Sequence, residues 1–287
     1  MSEPKHLPTP AAKRQSMRVD YHTHSHFSDG TLSPTKLVEM LKAAGVERFA
    51  LTDHDTTAGL GEACVAANEH GLELVPGVEI SASHGALGVH IVGLQIEENN
   101  AELCAFLSQQ QAARHARNVQ IDIKLAKARW PGLLERATAI AHPGLVTRTH
   151  FARALVGAGA ALDLTQVFSR FLTTGKPGYV SAEWPTLSCA VQAIAVAGGV
   201  AVLAHPNRYG LSGGKLRSLL QAFKNAGGHA IEVASGARSS DSLGALSDAA
   251  KRYGFKASIG SDFHDPAQTW LKLGRLPELP PELEMAV

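Results

Sequence analysis

The chain has 287 residues, 45% of them hydrophobic and 18% charged, with a formal net charge of +1. That is enough apolar material for one large core, in a single domain or a domain with an insert. The near-neutral balance leaves no global field to draw in nucleic acid or a membrane, so any anion site must be a local patch. Three scattered cysteines, Cys64, Cys104 and Cys189, form no CxxC pair, and no secretory leader is legible, which reads as a protein of the reducing cytoplasm. Residues 1–16 are polar, carry three prolines and read as a flexible tail. The longest apolar stretch, Cys189 to Ala204, is broken by Gly198-Gly199 and is too short to span a bilayer.

Met17–His24 reads as a strand, followed by a helix with Ser33 as cap, Pro34 at its first turn and Gly45 at its end. Glu47–Thr52 is a second strand, Thr57–His70 a second helix and Leu72–Pro76 a third strand leading to Gly77-Val78-Glu79. Gly88–Gln95 is a fourth strand, reached by a link short enough for a hairpin or a tight crossover. The alternation resumes with a helix over Thr186–Ala197, a strand over Val200–Ala204 and a helix over Gly214–Ala226. A strand over Ala230–Ala234, a helix over Ser240–Tyr253 and a strand over Lys256–Ile259 complete it. Short apolar strands alternating with amphipathic helices imply parallel strands covered by helices. Seven strands with polar groups at their ends point to a closed or nearly closed barrel, because an open sheet would spread those ends along a line.

Residues 99–185 break the pattern. Helices are expected over Ala101–Arg129, Ala137–Ala141, Thr149–Gly157 and Leu164–Leu172. The expected organisation is a barrel of residues 17–98 and 186–287, with residues 99–185 as a helical insert over its mouth, where inserts shape substrate choice. The basic residues Arg114, Arg117, Lys124, Lys127 and Arg129 of the first insert helix read as a solvated face rather than an RNA surface, because no aromatics interleave them.

Histidines and carboxylates sit at the ends of the apolar runs. Asp20, His22 and His24 alternate along one strand and so share a face. His22 and His24 can chelate one ion, with Asp20 beneath them accepting a ring N–H. Asp29 follows in Ser28-Asp29-Gly30, and Asp262 and His264 repeat the alternating geometry at the last strand, where Gly260 permits close backbone approach. His54, Glu79, His90 and His205 complete nine candidate ligands, while Asp53 and Asp55 read equally well as capping or turn residues. Nine nitrogen and oxygen donors without a thiolate fit about three divalent ions, with Glu79 and Asp262 as bridging carboxylates. Mn²⁺ is the favoured ion, with Zn²⁺ or Fe²⁺ as alternatives.

Taken in order, His22-Thr-His24-Ser, Ser28-Asp29-Gly30, Thr52-Asp53-His54-Asp55, Gly77-Val78-Glu79, Ala204-His205-Pro206 and Gly260-Ser261-Asp262-Phe263-His264 resemble the PHP (polymerase and histidinol phosphatase) phosphoesterases. The resemblance covers nearly the whole chain from Met17 and implies a distorted seven-stranded α/β barrel, TIM-like, with a trinuclear metal centre. The segments Thr147–Val156, Gly175–Val180 and His205–Tyr209 are most similar to members that dephosphorylate 3′,5′-nucleoside bisphosphates, some of which also trim RNA from its 5′ end. Three positions depart from that pattern: Thr149 stands where proline is expected, Arg238 follows Gly236, and His26 adds a third alternate histidine.

The expected activity is hydrolysis of the 3′-phosphate of a nucleoside 3′,5′-bisphosphate, with short 5′-phosphorylated RNA or histidinol phosphate as alternative substrates. A metal-holding accessory role without turnover is the non-enzymatic alternative. His205, Asp262 and His264 are the candidates to orient or protonate the leaving oxygen. A second phosphate needs a cationic clamp outside the metal cluster, for which Arg148, Lys176 and Arg208, with His150 as helper, are the candidates. No feature calls for an obligate protein partner.

Overall fold

The computed structural model describes residues 17–236, 239–271 and 273–287, so the expected tail and Arg238 lie outside the described residues. In chain order the first elements are β1 (Val19–Thr23), α1 (Pro34–Ala43), β2 (Arg48–Leu51), α2 (Leu60–His70), β3 (Glu73–His84) and β4 (Leu87–Leu94). A helical segment follows, with α3 (Ala101–Lys127), α4 (Leu133–Ala141), α5 (Arg148–Gly157), α6 (Leu164–Val167) and a π-helical turn over Phe168–Leu172. Then come α7 (Leu187–Val196), β5 (Val200–Leu203), α8 (Gly213–Asn225), β6 (Ala230–Ser235), α9 (Ser239–Tyr253) and β7 (Lys256–Gly260).

The seven strands form one sheet in sequence order, β1 to β7. Past the strand ends the two outer strands meet. Asp262 N donates to His22 O at 2.8 Å, His24 N donates to Phe263 O at 2.9 Å, and Thr23 bridges to Phe263. The sheet is therefore a nearly closed barrel. Gly260 is required at this seam, because a Cβ there would lie 2.2 Å from the His22 Cβ. Asp20 ties the same seam: its Oδ1 accepts from Ser261 N at 2.8 Å.

The barrel is not all parallel: of the hairpin and tight crossover that the sequence left open before β4, the chain takes the hairpin. β4 runs antiparallel to both β3 and β5. Only Gly85 and Ala86 separate β3 from β4, too short a link for a crossover, and Gly85 takes a left-handed φ of 60°. The hairpin also extends β3 well beyond Pro76. Glu79 thus lies mid-strand, and His90 comes from the first half of its strand. Antiparallel register still brings both to the barrel mouth, with Ser81 opposite His90 and Glu79 opposite Val92.

The helical segment between β4 and β5 has an apolar cluster of its own around Ile121, Leu125, Leu133, Phe151 and Leu155. It is locked onto the barrel by buried polar groups. Arg114 pairs with Asp55 and also donates to Ser81 Oγ at 3.0 Å. Gln110 Nε2 donates to Ser81 O at 2.6 Å. Asp55 lies in a turn with a left-handed φ of 52°, one of the two readings the sequence offered, and its carboxylate also anchors α3. No helix among the described residues is long and apolar enough to cross a membrane.

Candidate active site

All nine candidate ligands converge at the mouth of the barrel. Glu79, fully buried, is the hub. Its Oε2 lies 3.3 Å from both His22 Nε2 and His24 Nε2 and 2.9 Å from His54 Nδ1. Its Oε1 lies 2.9 Å from His90 Nδ1 and 3.1 Å from His205 Nε2. Three groups of donor atoms emerge: His22, His24, Glu79 and Asp262; His24, Asp29, His54 and His264; and His54, Glu79 and His90. Each pair of groups shares one residue, so the three form a connected triangle.

These donors fit divalent cations. In the first group the two facing ring nitrogens are 3.1 Å apart, and Asp262 Oδ1 is 3.3 and 3.1 Å from them. Donors bound tetrahedrally at roughly 2.0–2.1 Å stand about 3.3 Å from one another. Asp29 Oδ1, His54 Nδ1, Glu79 Oε2 and His205 Nδ1 are buried yet have no hydrogen-bond partner. Such orphaned atoms at one point are costly unless a cation satisfies them.

Partners behind the donors set the ring tautomers. Glu232 Oε1 is 2.6 Å from His22 Nδ1, so that nitrogen carries the proton and Nε2 offers its lone pair to the cluster. Glu232 Oε2 also accepts from His205 N at 2.6 Å. This is the role we expected of Asp20, which instead sits on the seam between β1 and β7. Glu232 was legible as a lone carboxylate inside the otherwise apolar run Ala230–Ala234. Asp53 is also structural in a way the sequence left open. It accepts from Ser25 N at 2.7 Å, Ser25 Oγ at 2.6 Å and Ser28 Oγ at 2.6 Å, which folds the turn carrying Asp29. His264 Nδ1 faces the Asp262 backbone carbonyl at 2.9 Å, which turns its Nε2 to Asp29 Oδ1 at 3.2 Å. His205 and Asp262 hold left-handed φ values of 31° and 53°, the kind of local strain that persists where side chains must be aimed.

Charge in the cluster is strongly coupled. Burial opposes protonation of His24, but hydrogen bonds and charge from Asp262 and Glu79 outweigh it and lift its pKa to about 10. His22 is likewise raised, burial being overcome chiefly by Glu232, Glu79 and Asp262. Glu79 is driven well below the carboxylate range despite its burial, by His54, His90 and His22. A proton on His24 therefore stabilises the metal-stripped fold fully below the unfolded value of 6.5, and that stabilisation is lost as pH rises through about 10. The melting temperature of the metal-stripped protein should fall across that window. With cations bound the decline should be absent, so the gap between the two forms widens with pH; thermal melts at stepped pH check this.

Two recesses reach the cluster. A smaller one, about 170 Å³, meets Asp29, His54 and His90 and is walled by Arg114, Arg117 and Arg148. A larger one, about 710 Å³, meets Asp262 and His264 and is walled by Arg153, Arg208 and Trp270. Thr149 and Phe168 line both.

The four clamp candidates separate on this geometry. Arg148 lies over the Phe168 ring at 5.8 Å and makes no ion pair among the described residues. Burial and the neighbouring Arg114 lower its pKa. Arg208 is half-exposed and already pairs with the Asp262 carboxylate. His150 completes the capping box of α5: its Nδ1 accepts from Thr147 N at 3.0 Å, and burial holds its pKa down to about 4. Lys176 is exposed in a turn and lines neither recess. Arg114 and Arg117 are not a solvated face, because Trp184, from far along the chain, stacks against both at 5.0 and 5.8 Å.

Residues 20–172 match the PHP domain family. The chain belongs to the PHP family. It is a metal-dependent phosphoric ester hydrolase of that family. Among its PHP relatives, a 5′-3′ exoribonuclease of Haemophilus influenzae is 44% identical over 90% of this chain and 93% of its own length. A 3′,5′-nucleoside bisphosphate phosphatase of Chromobacterium violaceum is 43% identical over 92% of this chain and 93% of its own. A solved Chromobacterium violaceum amidohydrolase with bound sulfate superposes with a TM-score of 0.88 at 42% identity, covering 93% of this chain and 94% of that one.

Proposed function

We propose that this PHP protein removes the 3′-phosphate of nucleoside 3′,5′-bisphosphates, such as adenosine 3′,5′-bisphosphate, using three divalent cations with Mn²⁺ preferred. The observation that carries this reading is Arg148: a half-buried guanidinium without a carboxylate partner among the described residues, beside Arg117, in a recess that opens on the cluster. A half-buried cation beside other cations is a site for an anion, and the second phosphate of the substrate is the anion we assign to it. The Chromobacterium violaceum relative named for that substrate supports it.

The chemistry supplied by cations at the three donor groups is charge neutralisation on the phosphoryl oxygens and acidification of the attacking water. The residues of the chain do the rest. Arg148 and Arg117 hold the 5′-phosphate, and Thr149 and Phe168 separate the two recesses around the sugar. Water attacks phosphorus, the bond from phosphorus to the 3′-oxygen breaks, and the oxygen takes a proton, giving the 5′-monophosphate and phosphate. Of His205, Asp262 and His264, His205 is best placed to deliver that proton, because it alone of the three stands outside the donor groups. The exposed thiols of Cys64, Cys104 and Cys189 support a reducing, cytoplasmic setting.

The second recess favours a second substrate for the same site. Cleaving a phosphodiester requires room on both sides of phosphorus, and the 710 Å³ recess with Trp270, 68% exposed, offers that room and a stacking surface. Short 5′-phosphorylated RNA would then lose its first nucleotide by breakage of the same kind of bond. The deciding experiment reconstitutes the protein with Mn²⁺, Zn²⁺ or Fe²⁺ and measures release from adenosine 3′,5′-bisphosphate, adenosine 3′-monophosphate, histidinol phosphate and a 5′-phosphorylated dinucleotide. Equal turnover of the 3′-monophosphate and the bisphosphate would remove the second-phosphate site. No turnover of any ester would leave the accessory role.

A further inference from the structure

Asp29 is gripped from a distant part of the chain. Its Oδ1 is buried without a hydrogen-bond partner and lies 3.2 Å from His264 Nε2 and 3.7 Å from His54 Nε2. Its Oδ2 is taken: Thr149 Oγ1 donates to it at 2.8 Å and Thr147 Oγ1 lies at 3.3 Å. Arg153 Nη2 donates to the Asp29 carbonyl at 2.9 Å. All three grips come from α5 or its cap, 118–124 residues further along the chain.

A free carboxylate rotates and can present either oxygen, or both, to an ion. Here the hydroxyls select one. With Oδ2 engaged, only Oδ1 faces the group formed with His24, His54 and His264. We propose that Thr149 is a positioning residue that presets Asp29 as a one-oxygen ligand, so that cation affinity at this group depends on the docking of α5. The inference rests on the metal-centre reading above and adds that the helical segment is part of the centre as well as a wall for substrate.

Thr147 is the poorer probe, because its hydroxyl also accepts from Thr149 N at 3.1 Å as the cap of α5. Thr149→Val keeps the shape and removes the donor, and Thr149→Ser restores it. Since Thr149 also lines both recesses, turnover is not the readout. Mn²⁺ is titrated into metal-stripped protein, with free Mn²⁺ followed by electron paramagnetic resonance and heat by calorimetry. Thr149→Val should weaken one bound ion by roughly 10–100-fold, leave the others unchanged and keep the melting temperature of the stripped protein, while Thr149→Ser recovers the wild-type isotherm. Superimposable isotherms for wild type and Thr149→Val overturn the proposal, as does an equal loss at every ion or a failure of Thr149→Ser to recover. A wild type that takes up no Mn²⁺, Zn²⁺ or Fe²⁺ overturns the metal-centre reading along with it.

Discussion

Glu79→Gln should strip the centre of most of its metal and lower phosphate release by roughly 10²–10³-fold or more, the scale of losing a group that acts on developing charge. The reason is the position of Glu79 among five imidazoles, with ring nitrogens 2.9–3.3 Å from its two oxygens. An amide of the same size removes the charge common to two of the three donor groups. It also replaces one oxygen by an N–H₂, which has no lone pair to offer a cation. Metal content by elemental analysis and turnover of adenosine 3′,5′-bisphosphate are the paired measurements. A variant with wild-type metal content and rate would show that the hub carries no cation.

Arg148→Ala should reduce kcat/KM for a 3′,5′-bisphosphate by roughly 10–100-fold, the value of about 1.5–3 kcal/mol for a hydrogen bond to a charged group. It should leave 4-nitrophenyl phosphate, which has a single phosphate, nearly untouched. The contrast between the two substrates is the test, since a general loss would mean that Arg148 supports the fold or the metals. Arg208→Ala is expected to damage both substrates, because Arg208 also holds the Asp262 carboxylate. Lys176→Ala, exposed and away from both recesses, is the matching control. Raised salt should weaken the bisphosphate more than the monoester, but less than for a fully exposed pair, because Arg148 is half-buried.

Much of the site could be read without coordinates, because its chemistry is local. His22 and His24 share a face through the two-residue period of a strand, and that period does not depend on the rest of the fold. Gly260, needed where β7 passes His22, is likewise a local signature. The same locality explains what escaped. Glu232 was visible as a carboxylate in an apolar run, but only packing shows that it fixes the His22 ring. Arg114 and Arg117 looked like a solvated face because their aromatic partner, Trp184, is some 70 residues away in the chain.

By itself the sequence determined which histidines and carboxylates are candidate ligands, the α/β class and the seven-stranded barrel, since side-chain period and residue type are written in the order of the chain. The tertiary structure decided the antiparallel course of β4, the choice of Glu79 as hub, the sorting of clamp arginines and the grip of Thr149 on Asp29. Each of those is a contact between segments distant in the chain, fixed by burial and hydrogen bonding that no local pattern encodes.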